Sequence, residues 1–413
     1  MNRPAAPLAD TRQLSLKDKR AMGPMDTPVL RYVLVGDAES PHLLKWARGL
    51  AAMSQVELHV ASSRGFLPAF DAFLPPHRRL ALGQQVVHGG GNGAVLKALP
   101  ALARWLKALN PDVIHAHYLT SHGTLAVLAR LVWRVPGLLV GSAWGSDILV
   151  TPRQSRVLAW LTRAVLRRLD LSTSDSHHMA LEMQRLGGAA PLVFPFGLEA
   201  MPERQGPKVP WHFYANRGLE PIYRPDRVLA VFTAIARLRP EAMLVVANDG
   251  SERARLEALA LEWGVSSQVR FVGRLGAAEQ AREYGRATYF LSLPASDSVA
   301  VSVLESMAHG CWPMLSELPA NRELVGDGQG DILPEQPSPG GDPQRPGAHP
   351  DDWQAWAQAW VMSQDAPEAS KRRRAAEQRH RNWVRDHALW QPSLALFMQS
   401  VREALGSATA SGR

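Results

Sequence analysis

The sequence predicts an α/β protein of two doubly wound, Rossmann-like parallel-sheet domains facing across a cleft. Three observations predict it. Short apolar runs alternate with amphipathic helical patterns in both halves of the chain, as in strand–helix–strand units. A Pro- and Gly-rich stretch, Pro195-Phe196-Gly197 followed by Pro202, Gly206, Pro207 and Pro210, separates the halves. The length of 413 residues, with 46% hydrophobic and 20% charged residues, suits two domains of ordinary size.

Residues 1–27 read as a polar arm without the apolar segment of a secretion signal. The first domain is expected over 28–198. Leu30–Val35 is a strand, and Gly36 to Pro41 a turn. His42–Met53 is a helix with Leu43, Leu44, Trp46, Ala47 and Leu50 on its apolar face, and Val56–Ser62 is a second strand. That first turn holds no GxGxxG run, which disfavours a dinucleotide cofactor. Gly89–Gly93 resembles a phosphate loop in composition only. No Lys-Ser or Lys-Thr follows it, so it reads as a linker before a helix over Ala94–Leu109.

In Pro111–Tyr118, PDVIHAHY, a short strand closes on two histidines. Ligands in open parallel sheets bind at that carboxyl end, and residues two apart share a face. His115 and His117 can therefore both face a ligand, or both satisfy loop carbonyls. No third ligand stands at metal-site spacing. Leu138–Ser142 is a strand ending in Trp144-Gly145-Ser146-Asp147. Arg153–Arg168 is a basic amphipathic helix, fit for a solvated face or for an anionic membrane. Ser174-Asp175-Ser176 opens the next helix as a cap.

Residues 199–210 are the expected linker. The second domain, 211–379, opens with a strand to Ala215 and Asn216-Arg217-Gly218. An Arg at a strand end can clamp a diphosphate. Asp226–Leu238 is a helix, Ala242–Ala247 a strand before Asn248-Asp249-Gly250, and Val269–Val272 a strand. Leu291–Gly310, LSLPASDSVAVSVLESMAHG, reads as a buried strand end, a turn and a helix over Val301–Ala308. Free amides and the positive dipole end of that helix make an anion site. Glu305, about one turn in, can accept bonds from ribose hydroxyls. Asp297 stands on the loop where an attached sugar would sit. The alternative makes Asp297 a helix cap and Glu305 a solvated acid. Trp353, Trp356 and Trp360 form a core stripe. Lys371–Arg381 is a solvated charged face, and 380–405 carries a last helix before the tail 406–413.

Asp297 and Glu305, seven residues apart, with LESMAHG, PDVIHAHY and NRGLEP, resemble the motifs of retaining glycosyltransferases of family four, which have the GT-B fold. This sequence departs from the family's usual Glu-Gly-Phe-Gly run: Asp297 is the first acid, and Ser298 and Ala300 replace glycines. The resemblance implies a nucleotide-diphosphate sugar as co-substrate, with no cofactor and no obligatory metal. It implies transfer to a hydroxyl acceptor with retention, and a last helix crossing back to the first domain. Glu305, Asp297, His117 and Arg217 would be catalytic. Arg217, Gly250, Asp297, Ala300, Val301, Ser302, Glu305 and Glu323 would bind donor, though a helix cap would explain Glu323 equally well. Ser40, His42, His117, Gly145, Ser146 and Asp147 would line the acceptor side. The companion Lys of the family is replaced by Pro221 and Ile222, leaving Arg224, Arg227 or Arg274 to supply that charge. An epimerase on the same fold and a degenerate sugar-nucleotide binder stay open as rival readings.

The net charge is +8, which favours anionic partners, but the basic residues are scattered without interleaved aromatics, against nucleic acid. The single Cys311 excludes an internal disulfide framework. A cytoplasmic protein, peripheral to the inner face of a membrane at most, is the expectation.

Overall fold

A computed structural model describes residues 29–83, 93–326, 328–335 and 347–410. The expected N-terminal arm, most of the Gly89–Gly93 loop, part of the loop at 327–351 and the last three tail residues lie outside the described residues.

The first domain runs β1 (Leu30–Ala38), α1 (Pro41–Ala51), β2 (Val56–Phe66), β3 (Arg79–Ala81), α2 (Leu99–Leu109), β4 (Val113–His117), α3 (Thr124–Trp133), β5 (Leu138–Ser142), α4 (Ser146–Leu149), α5 (Thr151–Gln154), α6 (Arg156–Leu166), β6 (Leu171–Ser174), α7 (His177–Arg185) and β7 (Leu192–Val193). The second runs β8 (Val209–Ala215), α8 (Pro225–Ala236), β9 (Met243–Ala247), α9 (Arg253–Glu262), β10 (Val269–Gly273), α10 (Ala277–Arg286), β11 (Ala287–Ser292), α11 (Val301–Ala308), β12 (Trp312–Ser316), α12 (Pro319–Leu324) and β13 (Asp331–Leu333). Three helices follow: α13 (Gln354–Asp365), α14 (Ala369–His387) and α15 (Trp390–Ala410).

The seven-stranded sheet has the order β3-β2-β1-β4-β5-β6-β7, the six-stranded sheet β10-β9-β8-β11-β12-β13. Neighbouring strands pair in parallel. In each sheet the strand order reverses once, between β1 and β4 and between β8 and β11. The loops leaving such a pair diverge and open a crevice. Those are the loops that carry Ser40 and His42, His117, Arg217 and Asp297.

Local sequence explains the elements. Ser40 ends β1's loop and caps α1, its Oγ accepting from His42 N at 3.3 Å, with Pro41 at the first helical position. Leu43, Leu44, Trp46, Ala47 and Leu50 are buried on one face. The expected helix over 153–168 is broken. Ser155 is extended and caps α6 through Leu158 N at 3.2 Å, which separates α5 from α6. Trp353 and Trp360 are buried in the second domain's core beside Trp356.

The chain crosses between domains twice. Leu198 N donates to Ala388 O at 2.8 Å, and Trp390 N to Leu198 O at 2.7 Å, so the two crossings are bonded side by side. A Cβ on Gly197 would lie 2.0 Å from Ala388 O, so this close approach requires glycine. α15 then completes the first domain's core. Trp390 and Phe397 pack edge-on against Trp46 at 4.7 and 5.0 Å.

Candidate active site

β11 delivers the loop Leu293–Ala300 to the cleft, and α11 starts at Val301. Ala300 is extended and its side chain offers no cap, so the first-turn amides of α11 are uncapped by it. Asp297 does not cap the helix either. Its Oδ1 accepts from Ser298 N at 3.0 Å, and its Oδ2 from Arg217 Nη2 at 2.6 Å. Arg217, just beyond β8, also donates from Nη1 to Ser302 Oγ at 3.3 Å and lies 4.5 Å from the Tyr223 ring centroid. Arg217 Nε is buried with no protein partner among the described residues. A guanidinium with a spare donor beside an uncapped helix start is a fit for phosphate oxygens. Burial pushes the Asp297 carboxyl up, and Arg217 holds it back.

Glu305 lies on the same side of α11. It is half-buried and not a freely solvated acid. The Tyr284 hydroxyl donates to its Oε2 at 2.9 Å and lies 3.1 Å from Ser302 O. Asn216 Nδ2 reaches that same hydroxyl at 2.8 Å. Burial raises the Glu305 pKa, while Tyr284 and Lys45 of the opposite domain lower it.

The first domain faces this tip with aromatic and imidazole rings. His115 and His117 share one face, with centroids 4.5 Å apart. His115 is fully satisfied, by Tyr32 at 2.8 Å and Ser142 at 2.7 Å, and belongs to the core. His117 accepts from Trp144 Nε1 at 3.1 Å through Nδ1. Burial holds its pKa well below the usual value, so it is neutral and carries its proton on Nε2. That Nε2 has no protein partner among the described residues. His42 stacks near Trp144 at 4.8 Å. Burial, Lys45 and Arg217 push it down to about 4, so it is neutral as well.

Gly145 takes a φ of 96°, and a Cβ there would sit 3.7 Å from Ser298, so it lines the contact between the domains. Ser146 starts α4 beside it, half-buried. Asp147 is withdrawn from any ligand: it is buried, and its oxygens accept from Leu119 N at 2.8 Å and Trp144 N at 2.9 Å. It braces the loop at Trp144 against Leu119. Ser40 is likewise spent on its cap.

Of the two readings of Glu323, the structure has the helix cap. Its two oxygens accept from His177 N at 2.9 Å and His178 N at 2.6 Å, capping α7 across the domain boundary. Gly250 packs on the Leu219 carbonyl, 2.4 Å from where a Cβ would be, so its need for glycine is steric. Asn248, where the resembled family has glycine, holds a φ of 81°, a left-handed conformation that Asn tolerates. Arg224 and Arg227 both pair with Glu335, at 2.6 and 3.1 Å, while Arg274 is exposed.

Four participants escaped sequence reasoning. Tyr284 sits in a polar helix with no motif around it. Lys45 lies on α1 and donates to Gly197 O, and its charge helps hold the Glu305 carboxyl down. Asp175 and Ser176 reach across to Ser298: Ser298 Oγ donates to Asp175 and lies 2.8 Å from Ser176 Oγ. Only the Ser-Asp-Ser run gave a signal, as a cap, and Ser176 does cap α7 through Met179 N at 3.1 Å. The loop before α11 is thus closed on the first domain, while Val301, Ser302 and Glu305 stay half-buried. Among the described residues no group of three or more His, Cys, Asp or Glu could hold a metal ion.

Residues 31–176 match the family described as glycosyl transferase 4-like, and residues 210–340 match glycosyl transferases group 1. No curated protein is a significant sequence match. Solved structures show the same fold. Anabaena Alr3699/HepE, solved with UDP-glucose, is 14% identical, with a TM-score of 0.67 over 92% of this chain and 100% of that one. Sucrose-phosphate synthase (tll1590) from Thermosynechococcus elongatus is 15% identical, with a TM-score of 0.67 over 92% and 100%. The lipopolysaccharide outer core galactosyltransferase WaaB, in its apo form, is 14% identical, with a TM-score of 0.56 over 86% and 99%. The chain thus carries a glycosyl transferase 4-like segment in its first domain and a glycosyl transferases group 1 segment in its second, on the GT-B fold of two Rossmann-like domains.

Proposed function

We propose that the chain transfers a sugar from a nucleoside diphosphate sugar to a hydroxyl acceptor with retention of configuration. The observation that carries this reading is the cluster at the α11 tip: Arg217 bonded to both Asp297 and Ser302, with Glu305 one turn further on. In this reading Glu305 takes the ribose hydroxyls. The amides around Ala300–Ser302 and Arg217 take the diphosphate, and Asp297 orients the sugar. The bond between the anomeric carbon and the phosphate oxygen breaks, and its electron pair leaves with the diphosphate. Arg217 and the helix start stabilise that charge. The acceptor oxygen attacks the same face, and its proton passes to the departing phosphate oxygen. In this reading His117, neutral and without a protein partner at Nε2 among the described residues, donates from Nε2–H to a hydroxyl of donor or acceptor.

HepE was solved with UDP-glucose, so UDP-glucose is the first donor to test. The decisive experiment measures nucleoside diphosphate release from a panel of UDP-, GDP- and ADP-sugars, with and without hydroxyl acceptors. Acceptor-dependent release that Glu305→Gln abolishes supports the reading. Donor isomerised without acceptor would favour an epimerase, and saturable binding without turnover a degenerate binder.

The acceptor side carries a surface of its own. α6 leaves Val157 and Trp160 exposed, 73% and 65%, among Arg153, Arg156, Arg163 and Arg167. That combination of apolar anchors and cations fits an anionic lipid surface, and hence a lipid-linked acceptor. No described helix is long and apolar enough to cross a membrane.

A further inference from the structure

A cavity of about 340 Å³ lies at the amino ends of β8, β11 and β12. Arg217 and Asp297 follow the carboxyl ends of β8 and β11, so this cavity and the candidate active site stand at opposite ends of one sheet. Trp211, Tyr289 and Trp312 line it from the strands, and the end of α13 and the first turns of α14 line it from the other side. Pro367 sets those helices there. The residue before a proline is disfavoured in the helical region; Ala366 has a ψ of 140°, and α13 ends at Asp365. The chain turns, and α14 presents Arg373 and Arg374 to the amino ends of the strands. The charged run at 371–381 reads in the sequence as a solvated face, but Arg373 is half-buried in the cavity wall.

The charges of the lining do not cancel within it. Its two acids face cations outside it: Asp365 pairs with Arg239, and Glu377 with Arg204 at 3.8 Å. Its three cations, Lys208, Arg373 and Arg374, have no carboxylate partner among the described residues. The Lys208 ammonium donates to Tyr284 O at 2.7 Å and lies 3.6 Å from Cys311 Sγ. Arg373 donates to Gln364 Oε1 at 2.7 Å and to Ser370 Oγ at 3.4 Å. Gln364 Oε1 also accepts from the Tyr289 hydroxyl at 3.4 Å, so neutral groups hold this guanidinium in place. Arg374 is exposed and makes no hydrogen bond or ion pair among the described residues.

Three cations beside aromatic walls favour an anion that carries some carbon. A phosphomonoester brings close to two negative charges and several strong acceptor oxygens. A guanidinium takes two of those oxygens in parallel, and an ammonium takes another as a point charge. Pockets for small organic ligands begin at about 300 Å³, so the volume is more than a bare phosphate fills. We propose that this cavity binds a small phosphorylated sugar or polyol, with its phosphate on Lys208, Arg373 and Arg374 and its carbons against Trp211 and Tyr289. The site is separate from the cleft and does not depend on the glycosyltransferase reading. One residue joins the two: Lys208 bonds the Tyr284 carbonyl, and the Tyr284 hydroxyl bonds Glu305.

The test is isothermal titration of ribose 5-phosphate, inorganic phosphate, sulfate and ribose into the full chain at pH 7.5 and low salt, for wild type, Arg373→Gln, Arg374→Gln and Arg217→Met. Ribose 5-phosphate should bind wild type more tightly than either inorganic anion, and ribose should give no heat. Loss of a charged hydrogen-bond donor weakens binding about tenfold or more, and that loss is expected for Arg373→Gln and Arg374→Gln. The exposed Arg374→Gln should keep the wild-type melting temperature, so it decides the matter if Arg373→Gln unfolds. Arg217→Met, altered in the cleft, should keep wild-type affinity for the ester. Absence of binding, or wild-type affinity in Arg374→Gln, overturns the proposal. Loss of binding in Arg217→Met also overturns it, since the phosphate would then sit in the cleft. Equal binding of ester, phosphate and sulfate means an adventitious ion only, and overturns it too.

Discussion

Replacing Arg217 by Met tests the centre of the site, and the structure sets the size of the effect. Arg217 and Asp297 form a 2.6 Å ion pair, with side chains 19% and 22% exposed. Removing one partner of a fully buried pair costs about 3–5 kcal/mol. With a fifth of each side chain in water, solvent screens part of this, and about 2 kcal/mol is expected. Burial already pushes the Asp297 carboxyl up, and without Arg217 it rises further. The folded variant then holds a proton that the unfolded chain releases, so its stability improves as pH falls. Asp297→Asn in the Arg217→Met background should recover about 1 kcal/mol, since the uncompensated charge is gone. Transfer should not recover: loss of a cation at the departing diphosphate costs about 10²–10³ in kcat. Urea denaturation midpoints at pH 5.5 and 7.5, with initial rates of nucleoside diphosphate release, separate the two effects. The reasoning fails if Arg217→Met keeps kcat within about threefold of wild type, or if adding Asp297→Asn lowers stability again.

Glu305→Gln removes a charged acceptor of the proposed ribose bonds and should weaken UDP binding about tenfold to a hundredfold, read by calorimetry with circular dichroism unchanged. Asp175, raised to about 7 by burial and by Asp297, binds a proton in the closed form. Its contribution to closure is present at low pH and is lost as pH rises from about 4 towards 7, so the melting temperature should fall over that window and Asp175→Asn should flatten it. Glu323→Gln weakens the cap on α7 and should cost about 1 kcal/mol of interdomain stability, seen as faster proteolysis between 199 and 210. Trp160→Ser should reduce co-sedimentation with vesicles containing anionic phosphatidylglycerol about tenfold, while wild type ignores neutral phosphatidylcholine.

The fold was legible because burial in a parallel sheet leaves a plain mark. LRYVLV, AMLVVA and YFLSL are mostly apolar runs, each ending at a turn. The helix tip was legible for a related reason: Ser292 to Val301 passes from strand to helix over a loop bearing one acid. What could not be read were pairings between distant residues. Nothing near Tyr284 announces that its hydroxyl will hold Glu305, and nothing near Lys45 announces Gly197. Asp147 and Glu323 look like ligands in one dimension, because acids that bond backbone amides and acids that bond sugars have the same letter. Only their partners, Leu119, Trp144, His177 and His178, tell them apart. The break at Ser155 was hidden by the good helical pattern on either side of it.

α15 fills a gap in the first domain with Trp390, Leu394 and Phe397, and Gly49 is the small residue that admits Leu394 and Trp390. The ribosome makes these residues after the strands of both sheets. Until they emerge, the nascent N-terminal half holds Trp46 without its cover, while the middle of the chain can already collapse around its own apolar interior. Maturation is thus ordered against the direction of synthesis, and a stop codon near 388 would strand a finished donor lobe beside an unfinished neighbour.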